Sequence, residues 1–323
     1  MTATAKPRAP KAKHAAPKRP PPAPPKPPTA NESVAALTAA LTRIWQSQPT
    51  HTFTVDGLSV RAAELTVPAP HWHLVTAGLA AKGFELSVRC PRDKDDHELP
   101  AWVAPLLRFI AHTDPADIAD GVVLRLDHPL PADASNASAM HAVAFGLDPR
   151  LGRVDVGGTP LPVLTAVALT SDELHLVYEW SPLALLDVLA RVDPLLMTDF
   201  DRPSLLANPR TRGAIEQRVE REGSAVTHLH ARTSSVEASG SQLRWRLSRE
   251  AVEPVLALLR GRLGHQRPFT VTSGTHQVDV LPAEAPSVVL EKKTLTVKLT
   301  QPAARGLRAT LKPAIGAYGW AEL

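Results

Sequence analysis

The stretch "PAPHWHLVTAGL", Pro68 to Leu79, sets two histidines around a tryptophan, between prolines and an apolar run. Residues two apart on a strand point to one face, so His71 and His73 share a side and Trp72 takes the other. A same-face pair could begin a metal site, with His51, His97, His112 and the acids as further ligands. The chain has no HExxH motif and no His pair one helical turn apart beside a carboxylate. A strand whose Trp72 anchors a core accounts for the same residues with fewer demands. The reading adopted is structural, with no metal and no cofactor.

Working outward, the bulk numbers narrow the classes. At 323 residues the chain is long enough for two domains, and its 44% apolar content suits a globular protein. The formal charge of +4 is concentrated, because residues 1–30 hold seven Lys/Arg and no acid. The body is therefore mildly acidic, with no general pull toward nucleic acid. A single cysteine, Cys90, permits no intramolecular disulfide and no cysteine-based zinc cage. The basic N-terminus has no apolar stretch behind it, unlike a secretory signal, and no apolar run approaches the roughly 18 residues of a membrane span. A cytoplasmic protein that engages no membrane is expected.

"KPRAPKAKHAAPKRPPPAPPKPP", Lys6 to Pro28, blocks both helix and sheet ladders with proline and stays solvated through its lysines. Residues 1–30 read as a disordered tether. Order begins at "NESVAALTAALTRIW", where Val34, Leu37, Leu41, Ile44 and Trp45 recur at helical spacing behind the cap-type residues Asn31 and Ser33. Strand-like pieces follow. In "FELSVRC", Phe84, Leu86 and Val88 alternate with Glu85, Ser87 and Arg89, the pattern of a strand with one face in water. A helix is expected around Ala104–His112 and a strand over Gly121–Leu126. "GGTP" between "RVDV" and "LPVLTAVAL" signals a hairpin. Ser181 and Pro182 cap and start another helix, and a polar helix from Arg210 to Glu222 stops at Gly223. Beyond it come short strands with hairpin-like breaks and one helix near Pro254–Arg262. The fold class is α+β: mixed sheets flanked by helices over 31–223, then a smaller strand-rich α+β unit over 224–323.

The chemical candidates are few. Asp199 and Asp201 in "LMTDFDRP" could form a carboxylate pair, or simply a strand-to-turn exit, which Asp favours. Cys90 lies between arginines that could lower a thiol pKa, though a small residue closing a strand suffices. "HLHAR", His228 to Arg232, holds a second same-face pair without evident partners. No GxSxG, phosphate loop or dinucleotide fingerprint is present. The residues make no positive case for an enzyme.

Taken in order, several stretches resemble the suppressor of fused family. "HWHLVTAGLA" resembles its HWHYxSxGLS signature, and "GFELSVRC" the GFELTFRL strand that follows. "PAWVAPLLRFIA" is similar to the PxWPxxLMxxLA helix, and "LDHPL" and "LDPRL" continue the series. "TSDELHLVYEWSPLALLDVLARVDPLLMTDFDR" resembles CTEELxxxQxWNGxGxLELL followed by PWLITDMRR. The resemblance runs from about Ala35 to Gly223, and "LRGRLGHQRPFTV", Leu259 to Val271, is similar to the second domain of animal members. It implies a suppressor of fused domain over 31–223 with a related C-terminal domain, in a fold whose role is binding. His71, Trp72 and His73 then belong to a structural signature.

Animal members clamp a short strand of a transcription factor between their two domains. The resemblance therefore implies a protein or peptide partner, held by adding a strand to both sheets. One clamp edge falls on Gly121–Arg125, hence Val122, Val123, Leu124 and Arg125. The other falls on Val226–Ala231, with Val226, His228, Leu229 and Ala231. Asp148 matches the Asp of the family's TEDP. The family's acid after that first Gly, which receives a partner histidine, is Val122 here, and this favours a more apolar partner segment. Bacterial members are often encoded beside toxins and regarded as immunity proteins. Other classes stay open: a scaffold without a toxin partner, a hydrolase using Asp199, Asp201 and the His pairs, or a binder acting through the basic tail.

Overall fold

Strand β3 (His71–Ala77) lies in the middle of a large sheet. The structure, a computed structural model, describes residues 29–45, 48–93, 95, 97–130, 140–231, 234–239, 242–274, 276–310 and 318–322. The tail expected over 1–30 falls almost wholly outside these. Around β3 run β1 (His51–Val55), β2 (Leu58–Leu65), β4 (Glu85–Pro91), β5 (Val123–Leu130), β6 (Met140–Leu147), β7 (Arg153–Val156) and β8 (Thr159–Leu169). Their order is β1-β2-β3-β4-β8-β6-β5, with β7 paired to β8. Within this sheet, among the described residues, only β4 and β8 pair in parallel. The sheet is covered on both faces. Helices α1 (Ala30–Trp45) and α2 (Val103–His112) bury Leu37, Leu41 and Trp45, and Leu106, Leu107 and Ile110, in separate apolar clusters. Helices α3 (Ser171–Glu179), α4 (Pro182–Val192) and α5 (Pro209–Glu222) cover a third, over β6 and the far half of β8.

Local chemistry explains most of these ends. Ser181 accepts from the Ala184 N–H with Pro182 in the first turn of α4, and α5 stops at Gly223, as the sequence leads one to expect. The cap of α1 is Thr29 rather than Asn31 or Ser33. Its hydroxyl and N–H both meet the Glu32 carboxylate, at 2.7 and 2.9 Å.

The larger difference is β4. Glu85, Ser87 and Arg89, read as its wet side, are 1%, 1% and 0% exposed. A polar alternation here marks a buried hydrogen-bonding face, because other elements supply the partners that water would otherwise supply.

The second body has a five-stranded sheet in the order β14-β15-β13-β12-β9. Its strands are β9 (His228–His230), β12 (Phe269–Ser273), β13 (His276–Pro282), β14 (Ser287–Glu291) and β15 (Thr294–Leu299). A smaller sheet joins β10 (Ser234–Ser239), β11 (Gln242–Ser248) and β16 (Tyr318–Glu322). Helices α6 (Arg249–Gly261) and α7 (Gln301–Thr310) pack on a core of Leu229, Val255, Leu258, Val271, Val280 and Val297. Helix α6 begins at Arg249, well before Pro254, which sits inside it rather than starting it. Among the described residues Tyr178 packs against both this core and the α3–α5 core.

Candidate functional site

The HWH signature resolves into a buried polar network. Trp72 is 0% exposed and packs in the α2-side core. On the other face, the Trp45 indole N–H donates to His73 Nδ1 at 2.9 Å. The neutral ring then carries its proton on Nε2, which faces Asp148 Oδ2 at 3.7 Å. Asp148 also accepts from Ser87, from both Arg89 Nη atoms, and from the Arg150 and Leu151 N–H groups. Burial alone would push the Asp148 carboxyl up, but the His73 and Arg89 contacts hold it well below the usual carboxylate range. Burial, reinforced by the Arg89 charge, brings His73 down to about 4. Asp148, expected at the partner groove, is 2% exposed with both oxygens engaged inside the protein. It organises the fold beneath the sheet instead of presenting a carboxylate.

The first expected clamp edge is the outer side of β5, among the described residues the terminal strand of the large sheet. It opens with a bulge. The Gly121 N–H donates to Phe145 O at 2.8 Å, and the Phe145 N–H donates to Val122 O at 2.9 Å, so two residues oppose one. Gly121 has φ +82°, the conformation that the first position of such a bulge requires. Alternation from that point, with the register Val123 to Ala144 and Leu124 to Val143, turns Leu124 toward β6. Val123 and Arg125 turn their N–H and C=O outward. The side chains of Val122, Val123 and Leu124 are half-buried and Arg125 is exposed.

The second edge is β9, the terminal strand of the five-stranded sheet. Thr227 O accepts from the Thr270 N–H at 2.9 Å, and the Ala231 N–H donates to Thr272 O at 2.8 Å. Odd-numbered residues therefore face β12, and His228 and His230 turn their backbone groups outward. Leu229 and Ala231, expected as groove contacts, are instead 6% and 2% exposed, with their side chains in the core. The His228 and His230 rings both meet the Thr272 hydroxyl, at 2.8 and 3.3 Å, a shared partner across the sheet. Val226 is half-buried against the same core as Tyr178.

Between the bodies lies a cleft of about 1550 Å³, walled by Arg125, His141, α3, α5 and the Glu253–His265 part of α6 and its exit. The junction beside it combines main-chain and side-chain contacts. The Ala225 N–H donates to Trp180 O at 2.5 Å and the Ser224 N–H to Gly261 O at 2.8 Å. Arg267 and His265 reach the Glu222 and Glu220 carbonyls at the end of α5. Arg260 pairs with Glu179, and His175 lies between Glu179 and Glu253 at 3.3 and 3.8 Å. A Cβ on Gly223 would stand 2.5 Å from Gly261 O, and one on Gly261 2.5 Å from Glu179 O. Sequence reading did not single out Tyr178, Gly261 or the α3–α6 contact, because nothing local distinguishes them.

The other candidates are scattered. Asp201 N–H donates to Asp199 Oδ1 at 2.9 Å, a local turn bond. His97 pairs with Glu64, His112 with Asp56, and His51 packs edge-on against Trp72. Among the described residues no three His, Cys, Asp or Glu groups converge as a metal site would need. Cys90 is buried. Among the described residues no helix is long and apolar enough to cross a membrane.

With this geometry in view, comparisons with known proteins agree. Residues 52–203 match the family model of suppressor of fused protein. The chain is 23% identical over 189 residues to the suppressor of fused homologs of Homo sapiens and Mus musculus. Each alignment takes in 50% of this chain and 38% of the relative, so the chain spans well under half of their length. The crystal structure of Drosophila Suppressor of Fused has the same fold, with a TM-score of 0.66 at 14% identity over 86% of this chain and 89% of that one.

Proposed function

We infer that this chain, which belongs to the suppressor of fused family through residues 52–203, is a protein-binding module that holds an extended segment of its partner between its two bodies. The family is one of binding and regulation, without enzymatic activity. One observation carries the reading. The two segments that resemble the family's clamp are each the terminal strand of a different sheet, and each has backbone donors turned outward. Val123 offers them on one side, His228 and His230 on the other. A partner strand laid along either edge would satisfy them, so affinity comes mainly from backbone hydrogen bonds and selectivity from flanking side chains.

Val122 favours an apolar partner side chain where animal members receive a histidine. By resemblance to bacterial members, the partner is a toxin and the role is cytoplasmic immunity. A pull-down from the native organism with mass spectrometry would name the partner. Calorimetric titration then tests the mode with Val123→Pro and His230→Pro, which delete outward donors without breaking the internal ladders. Each should weaken binding by about tenfold, whereas Val123→Ala and His230→Ala should change it far less. Folded proline variants at both edges that bind like wild type would show that the partner sits elsewhere.

A further inference from the structure

Strand β14 closes the five-stranded sheet on the side opposite β9, and among the described residues nothing pairs with its outer edge. Its backbone parity follows from β15. The Gln277 N–H donates to Lys293 O and the Ala283 N–H to Leu299 O, both at 3.0 Å, so odd-numbered residues of β15 face β13. Thr294, Thr296 and Lys298 then face β14 and pair with Glu291, Val289 and Ser287. Val288 and Leu290 are left with N–H and C=O turned outward.

Proteins usually blunt such an edge by shortness, a bulge, proline or an inward charge. The edge of β9 is three residues long and that of β5 opens with a bulge, but β14 pairs in unbroken register from Ser287 to Glu291. Val289 is 43% exposed and Leu290 63%. From Ser287 to Leu290 the strand is largely apolar and carries no charge, proline or bulge of its own. Its flanks carry opposite charge, Glu284 before it and Lys292 with Lys293 after it.

We propose that β14 pairs with β14 of a second copy of this chain, antiparallel about Val289, to form a symmetric dimer. In that register Val288 of each copy exchanges hydrogen bonds with Leu290 of the other, using every outward donor and acceptor of the strand. Val289 meets Val289 as a close non-hydrogen-bonded pair. The antiparallel sense sets the lysine tip of one copy beside the Glu284 end of the other, whereas a parallel pairing would stack lysine on lysine. A two-fold contact of this kind closes on itself, leaving no β14 edge to propagate. It lies on the side of the sheet away from β9, so it does not depend on the partner-binding reading above.

Sedimentation equilibrium at about 100 µM, enough to populate a contact of modest area, should show a monomer–dimer equilibrium for the whole chain and monomer alone for Val289→Lys. Register is read by cysteine trapping, with the native Cys90 buried. Val289→Cys should give a disulfide-linked dimer under mild oxidation. Ser287→Cys should not, because each Ser287 lies opposite Glu291 of the other copy. A monomeric wild type, a dimer untouched by Val289→Lys, or equal trapping at the two cysteines would each overturn the proposal.

Discussion

Arg89 and Asp148 meet as a fork deep under the sheet, Nη1 to Oδ2 at 2.7 Å and Nη2 to Oδ1 at 3.0 Å, with both side chains at 0% exposure. Removing one member strands the other charge in a dry interior. Arg89→Met should cost about 3–5 kcal/mol by urea denaturation. The double variant Arg89→Met with Asp148→Leu should recover part of that loss, since no unpaired charge remains. A single variant within about 0.5 kcal/mol of wild type would mean that water reaches the pair.

His73 gives stability a pH dependence of known sign. Its folded pKa is lowered from 6.5 to about 4, so the unfolded chain binds its proton first as pH falls. The stability it contributes is present above pH 6.5 and is lost as pH drops toward 4, on the order of 3 kcal/mol in all. Burial lowers His71 as well, and it acts in the same direction. His73→Gln can still accept from the Trp45 indole and should flatten the stability curve over this interval. An unchanged slope in that variant would exclude His73 as the source.

Trp72 is buried at 0% exposure among Leu74, Val88 and Cys90 of the same core. Trp72→Ala should cost about 3–5 kcal/mol in chemical denaturation, as truncation of a large core aromatic does. A stable, soluble variant with impaired partner binding would instead place Trp72 in recognition.

The junction glycines allow a close approach that no side chain permits. Gly261→Ala would drive a methyl into Glu179 O, so the bodies must separate or α6 must shift. Limited proteolysis near residues 223–226 should speed up several-fold, while hydrogen exchange of the β3 amides in the first body stays native. Unchanged cleavage would show that the contact yields without cost.

Local chemistry made much of the fold legible. The Ser181–Pro182 start of α4, the stop of α5 at Gly223 and the hairpin from β7 to β8 depend on residues within one turn of each other. The buried face of β4 was not legible. Nothing near Arg89 announces that Asp148 will arrive from far along the chain to meet it. Helix α7 carries its buried anchor, Ala304, in a stretch with little apolar content, so periodicity passes over it. For the candidate site, both strands were identifiable by resemblance. Which residues turn their donors outward depends on pairing, which directs those of Leu229 and Ala231 toward β12 and those of His228, already among the expected contacts, and of His230 outward.

In the seam joining the bodies two bonds run from peptide group to peptide group: Ala225 to the carbonyl of Trp180, Ser224 to that of Gly261. Such bonds are indifferent to which side chains drift on the surface. Substitutions on the outward faces of β5 and β9 therefore leave these two bonds, and the spacing they help set, untouched. Under the binding mode proposed above, the contacts to a partner could change residue by residue while part of the gauge that spaces the two edges stays written in backbone.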